Sequence, residues 1–242
     1  MKRPQRGFNL ISLMIGMTLS LISILAMLAL YKNMVGISVR SIQDAQQDGQ
    51  VSAGFLTAQL EMRNAGFGIV PSDTTPTDVA SKSMRLLQNA RLTSGTLTGD
   101  PYTPPVEISG NALIWVSKMS TTADATCAGL LVQSGQLVYL KAASTCRAIT
   151  DWGTTTWTQT ILVAAPKNPA DDTSYGNIQS ASFFKTEQGR CWPFGKYSET
   201  QFPNSLKVIM TASISAKDST GNAIKSVSEI CLPNIPIPLT TP

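Results

Sequence analysis

The sequence predicts an α+β protein: one long N-terminal α-helix, its first half embedded in a membrane, packed on an antiparallel β-sheet. Three observations carry this. The run from Phe8 to Tyr31 holds no charged side chain. Beyond Lys32, Val35, Val39, Ile42, Ala45, Gly49, Ala53, Leu56 and Leu60 recur at steps of three and four, which marks one apolar face of a continuing helix. After Pro105, short apolar runs alternate with turn-forming residues, the pattern of antiparallel strands.

At about 1.5 Å per residue the Phe8–Tyr31 run makes a helix of about 36 Å, enough for a bilayer core of about 30 Å. Its polar members Asn9, Ser12, Thr18, Ser20 and Ser23 are uncharged, and helical hydroxyls bond back to carbonyls one turn earlier. Lys2, Arg3 and Arg6 precede it, which favours a cytoplasmic N-terminus and a body outside the cytoplasm. A cleaved secretory signal fits less well. Such signals carry an apolar run of about 7 to 15 residues ending at a small-residue site, and here the run passes into "YKNMVGISV".

On the helix beyond the membrane, Gln43, Asp44, Gln46, Gln47 and Asp48 lie opposite the apolar face and suit solvent. Gly66 and Gly68 in "FLTAQLEMRNAGFGI" supply the stop, and Pro71 prevents a restart. Ser72 to Pro105 has loop composition, "TLTGDPYTPP" included, with a short element around Met84 to Leu92. Strands are expected at Ala112–Ser117, Gly129–Gln133, Gln136–Ala142, Gln159–Ala164, Ser180–Lys185, Leu206–Ser215 and Ala223–Leu232. Ser134-Gly135 is a two-residue hairpin signal. The tail "PNIPIPLTTP" is expected to leave the ladder, because proline lacks a donor.

The 242 residues carry a formal charge of +4, but Lys2, Arg3 and Arg6 supply most of it and leave 16 basic against 15 acidic side chains. A nearly neutral body lacks the basic footprint of a nucleic-acid binder. With no histidine in the chain, Ser-His-Asp and Cys-His schemes are excluded, as is the commonest metal ligand. Ser182 and Lys185 match S-x-x-K without its partner motifs. Asp171-Asp172 and the Asp218–Asn222 turn lack calcium-loop spacing. No enzyme activity and no cofactor are expected. Trp192, Phe194 and Tyr197 in "CWPFGKY" offer a contact surface for another subunit or a tip adhesin, or else Trp192 plugs the core.

Cys127, Cys146, Cys191 and Cys231 contain no C-x-x-C pair, and an even count behind an export signal reads as two disulfides. A hairpin at Ser134-Gly135 sets Cys127 opposite Ala142, close to Cys146. Of the three possible pairings, Cys127–Cys146 with Cys191–Cys231 fits best.

The junction "RG|FNLIS" resembles the class III signal of type IV prepilins. That resemblance implies a prepilin peptidase that cuts Gly7–Phe8 and methylates Phe8, leaving the apolar helix to serve first as anchor and then as filament core. "LEMRNAGFG" resembles the stretch that closes the long helix in W-type minor pilins. Together they reach from Gly7 to Gly68; the rest of the chain adds architecture only. Ser12 departs from the family, which has Glu there, thought to neutralise a neighbour's N-terminal amine. Either the leader match is accidental, or the subunit sits where that pairing is not required, as in a tip pseudopilin of type II secretion.

The resemblance implies a pilin-like fold divided into a leader (1–7), a membrane and filament-core helix (8–31), its amphipathic continuation (32–68) and a disulfide-bearing β-rich domain (69–242). It implies a structural minor pilin that helps initiate or cap a type IV pilus, resident in the inner membrane and then in the pilus. Its expected partners are prepilin peptidase, other major and minor pilins and the inner-membrane assembly platform. A minor pseudopilin of type II secretion is the alternative within this class. A signal-anchored periplasmic binding domain or enzyme is the alternative outside it.

Overall fold

The structure is a computed structural model, and it describes residues 10–69, 77–103, 107–119, 124–144, 146–165, 182–190 and 204–237. In chain order the elements are α1 (Leu10–Met62), α2 (Thr77–Ser83), β1 (Met84–Thr93), β2 (Thr96–Tyr102), β3 (Ile108–Gly110), β4 (Ala112–Ser117), β5 (Thr126–Gln133) and β6 (Gln136–Ala142). A 3₁₀ turn (Ile149–Gly153) follows, then β7 (Trp157–Val163), β8 (Phe184–Arg190), β9 (Asn204–Lys217) and β10 (Ala223–Ile237). The chain forms two compact units, Met1–Gln46 and Gln47–Pro242. The break falls inside α1, so residues 47–62 of the helix belong with the globular part.

In the first unit α1 is long and apolar enough to cross a membrane. Its large apolar side chains, such as Leu13, Ile22, Leu28 and Tyr31, are all exposed. The polar interruptions are satisfied locally. Thr18 Oγ1 donates to the Ile15 carbonyl, Ser20 Oγ to that of Met17 and Ser23 Oγ to that of Leu19, each at 2.9 Å. A helix that meets its hydroxyls internally is compatible with hydrocarbon.

The second unit holds two antiparallel sheets where the sequence suggested one. One has six strands in the order β2-β1-β4-β5-β6-β7, and the other has four in the order β10-β9-β8-β3. The chain crosses from the first to the second at β3 and back at β4. The centre of the six-stranded sheet is buried on both faces while its edge strands β2 and β7 are largely exposed; this explains the apolar run "ALIWVS" of β4, with all six residues buried. Leu113 and Trp115 point into a core shared with Val51, Phe55, Ala58 and Met62 of α1 and with Leu206, Val208 and Met210 of β9. Ala112, Ile114 and Val116 point into a second core, closed by Cys127, Cys146, Ile149 and Trp157.

The four-stranded sheet alternates instead. Leu206, Val208, Met210 and Ala212 are buried, while a ladder of charges runs across the other face. Lys185 Nζ lies 2.6 Å from Glu107 and 3.8 Å from Glu187, and Lys207 Nζ lies 4.0 Å from Glu187 and 3.6 Å from Glu229. This places Lys185 between two carboxylates. The β8 strand begins at Phe184, four residues later than the Ser180 start expected.

Two expectations fail in instructive ways. The segment from Ser72 to Pro105, read as loop around one short element at Met84–Leu92, holds that element as β1 but also a second strand, β2, joined to it at Ser94 (φ +50°) and Gly95 (φ +82°). Two consecutive left-handed residues make the turn that matches strand twist, and Ser-Gly supplies it without the usual asparagine. As far as Ile237 the proline-rich tail stays in the ladder: Pro236 pairs with Ser205 and Ile237 with Asn204, after a register shift beyond Leu232. β10 is an edge strand of its sheet, and a shifted edge tolerates a missing donor. The α-helix also ends at Met62, before Gly66 (φ +73°) and Gly68 (φ +68°), which turn the chain afterwards.

Candidate assembly surfaces

The long helix carries two apolar faces within the globular unit, and the structure uses the one not expected. Val51, Gly54, Phe55, Ala58 and Met62 are buried. Gly49, Ala53, Leu56 and Leu60 are exposed, Leu56 at 58% and Leu60 at 53%. Each exposed member precedes a buried one by two positions (49 and 51, 53 and 55, 56 and 58, 60 and 62), and two positions are about 200° round the helix. The exposed stripe therefore lies opposite the buried one. In the first unit Val35, Val39 and Ile42 of the same expected series are exposed as well. Conversely Gln47 and Asp48, expected in solvent, are half-buried.

The inward face is chosen by fit. A Cβ added at Gly54 collides with Val163 Cγ2 of β7, so glycine lets the helix approach that strand. Phe55 meets Phe183 edge-on at 5.8 Å, and Phe183 meets Phe184 at 4.7 Å. Polar ties flank this packing. Gln47 Nε2 donates to the Ala164 carbonyl at 3.4 Å, Gln59 Nε2 to Ser228 Oγ at 2.6 Å and Asn234 Nδ2 to the Arg63 carbonyl at 2.9 Å. Tyr139 Oη donates to Glu61 Oε2 at 3.1 Å. Burial, then the charge of Glu61 and that hydrogen bond, push the Tyr139 phenol up to about 12.

On the outward face nothing lies within 4 Å of a Cβ built on Gly49. Small residues there, with leucines following, leave room for another helix to approach closely. Spacing alone could not separate the two faces, because both repeat at 3.6. The bulk of Phe55 and Met62 was the available signal for the buried one.

Gly7 and Phe8 lie outside the described residues, as do Cys191, Asp171-Asp172 and the Trp192, Phe194 and Tyr197 loop. Ser12 sits exposed on α1. Cys127 and Cys146 form a disulfide with Cα atoms 5.6 Å apart. Cys231 is also disulfide-bonded, its partner outside the described residues. Asp218 shapes its own turn, accepting from the backbone N–H of Thr220 and of Asn222, each at 2.9 Å. The bond from the Thr220 hydroxyl, followed by those from the Asn222 and Thr220 backbone, holds its carboxyl below the usual range.

These features define an α+β chain whose N-terminal helix is long enough to span a membrane and whose distal part presents a free apolar face. No family model matches the chain, and neither a curated protein nor a solved structure was found similar to it.

Proposed function

We propose that this chain is a structural minor pilin, of the W type, that helps initiate or cap a type IV pilus. The observation that carries the reading is the exposed Gly49–Ala53–Leu56–Leu60 stripe on a folded unit whose sheets already bury the opposite helix face. A helix serving only its own domain needs one apolar face; a helix that also packs beside other helices needs two. The membrane-length segment and the Gly7–Phe8 junction agree with this role. On it, prepilin peptidase frees and methylates Phe8, and the anchored chain waits in the inner membrane with its body outside the cytoplasm. The assembly platform then moves it among the other pilins, with a tip adhesin as a further partner of an exposed cap.

Ser12 favours a second reading, a minor pseudopilin of type II secretion, since a subunit without the usual glutamate suits a filament tip in either system. The deciding measurement is the mass of the N-terminal peptide from membrane-extracted protein. A chain starting at Phe8 with one added methyl group is the expected result. A Met1 start, or a cut beyond Tyr31, returns the protein to the class of anchored or secreted binding domains and enzymes.

A further inference from the structure

A polar cleft of about 370 Å³ opens at one end of the six-stranded sheet, between Asn89 and Arg91 of β1, Asn111 before β4, and Gln133 and Ser134 at the β5–β6 turn. Its floor is built from side chains acting as backbone. Asn111 Oδ1 accepts from the Ala90 N–H at 2.8 Å, and its Nδ2 donates to the carbonyls of Ala90 at 2.8 Å and Val132 at 3.1 Å. Gln133 repeats the device two residues on. Its Oε1 accepts from the Leu92 N–H at 2.8 Å, and its Nε2 reaches the Leu92 carbonyl at 3.4 Å. The rims are fixed by two left-handed residues, Asn89 (φ +51°) and Ser134 (φ +53°). With its floor already held by these hydrogen bonds, the cleft needs little ordering by an occupant.

What remains uncommitted is mostly donors. The Arg91 guanidinium is exposed, and no carboxylate pairs with it among the described residues. The Ser134 hydroxyl and one Gln133 N–H add two more, and Asn89, which donates to Asp100 Oδ2 at 2.9 Å, keeps its carbonyl free as an acceptor. One forked cation matches one carboxylate bidentately. Asp100, outside the lining but bonded to Asn89, sets a negative charge beside the cleft, which weighs more against a doubly charged phosphate than against a single carboxylate. The mixed donors and acceptors around the cation suit hydroxyl groups.

We propose that this cleft binds an acidic sugar, with Arg91 holding the carboxylate and Ser134, Gln133 and Asn89 meeting the hydroxyls. Binding does not depend on whether the chain enters a filament. The experiment titrates the full chain in detergent micelles at low salt with glucuronate, acetate and glucose, followed by ligand-observed NMR. Glucuronate is expected to bind, acetate more weakly and glucose not at all. Arg91→Gln should lower glucuronate affinity about tenfold, the usual worth of a hydrogen-bonded charge, with the melting curve unchanged because Arg91 is exposed. Arg91→Lys, which keeps the charge but loses the fork, should fall between. Failure of glucuronate to bind, equal binding of glucose, acetate binding as tightly as glucuronate, or an Arg91→Gln affinity equal to the native one overturns the proposal.

Discussion

Tyr139 on β6 and Glu61 on the last turn of α1 share a hydrogen bond of 3.1 Å across the helix–sheet interface. The folded state keeps the Tyr139 proton up to about pH 12, whereas an unfolded tyrosine releases it near ~10. The contribution is therefore complete below about pH 10 and lost as pH rises through about 12. Urea unfolding measured from pH 8 to 12 should show a fall in stability confined to the top of that range. Tyr139→Phe should lower stability by about 1 kcal/mol at pH 8, the worth of one such bond, and remove the alkaline step assigned to this residue.

The two faces of α1 predict opposite mutational outcomes. Phe55 is 5% exposed in the main core, so Phe55→Ala should cost about 3–5 kcal/mol. Leu56, its neighbour in sequence, is 58% exposed, and Leu56→Ser should stay within about 0.5 kcal/mol. Thermal or urea unfolding of the two variants reads this directly. Equal costs would show that the helix packs by another face. On the assembly reading, Leu56→Ser instead reduces incorporation into filaments while the monomer stays folded.

The long helix was legible because fifty positions of uncharged or 3.6-periodic character admit no other element, and its composition marked the membrane-length part. The choice of face was not, since Leu56 and Phe55 belong to stripes of equal period and only tertiary fit at Gly54 and Val163 decides between them. "LKVIMTASIS" alternates and "QLVYLKA" is a short apolar run beside a turn signal, so both were readable as strands, as was the Ser134-Gly135 hairpin. β2 was missed because Gly99, Asp100 and Pro101 look like loop, yet Asp100 and Pro101 pair with Gln88 and Leu87 of β1 at the sheet edge. The division into two sheets was invisible because it turns on β3 pairing with β8 and not with its neighbour β4, and pairing so far along the chain leaves no local mark. The Cys127–Cys146 bridge followed from hairpin geometry alone, whereas the Asn111 and Gln133 amides carry no pattern at all.

The Cys127–Cys146 disulfide spans a sequence separation of 19 and joins two side chains buried in the second core. Closing a loop of that size contributes about 3 kcal/mol in the chain-entropy model. The double variant Cys127→Ser/Cys146→Ser should lower the unfolding free energy by at least about that amount, because two hydroxyls also replace two buried sulfurs. Equilibrium unfolding in urea is the check. A loss well under about 1 kcal/mol would mean that β5 and β6 are held together by their ladder alone.

Asn111 offers the sharpest test of the irregular end of the six-stranded sheet. It is 6% exposed, and its side chain makes three hydrogen bonds, two to Ala90 and one to Val132. β1 pairs with β4 only over Met84–Leu87 against Ala112–Trp115, so beyond Leu87 the backbone groups of Ala90 have this amide as their partner on that side. Asn111→Ala removes all three bonds and leaves a buried donor and two acceptors unmet, which should cost about 3 kcal/mol. Asn111→Asp keeps the acceptor for the Ala90 N–H but faces two carbonyls with a buried charge, so it should be at least as damaging. Amide exchange gives the local signature: protection of Ala90 should collapse in both variants while that of Leu86, inside the regular pairing, persists. Loss of protection across all of β1 would instead mean that Asn111 holds the whole strand in place.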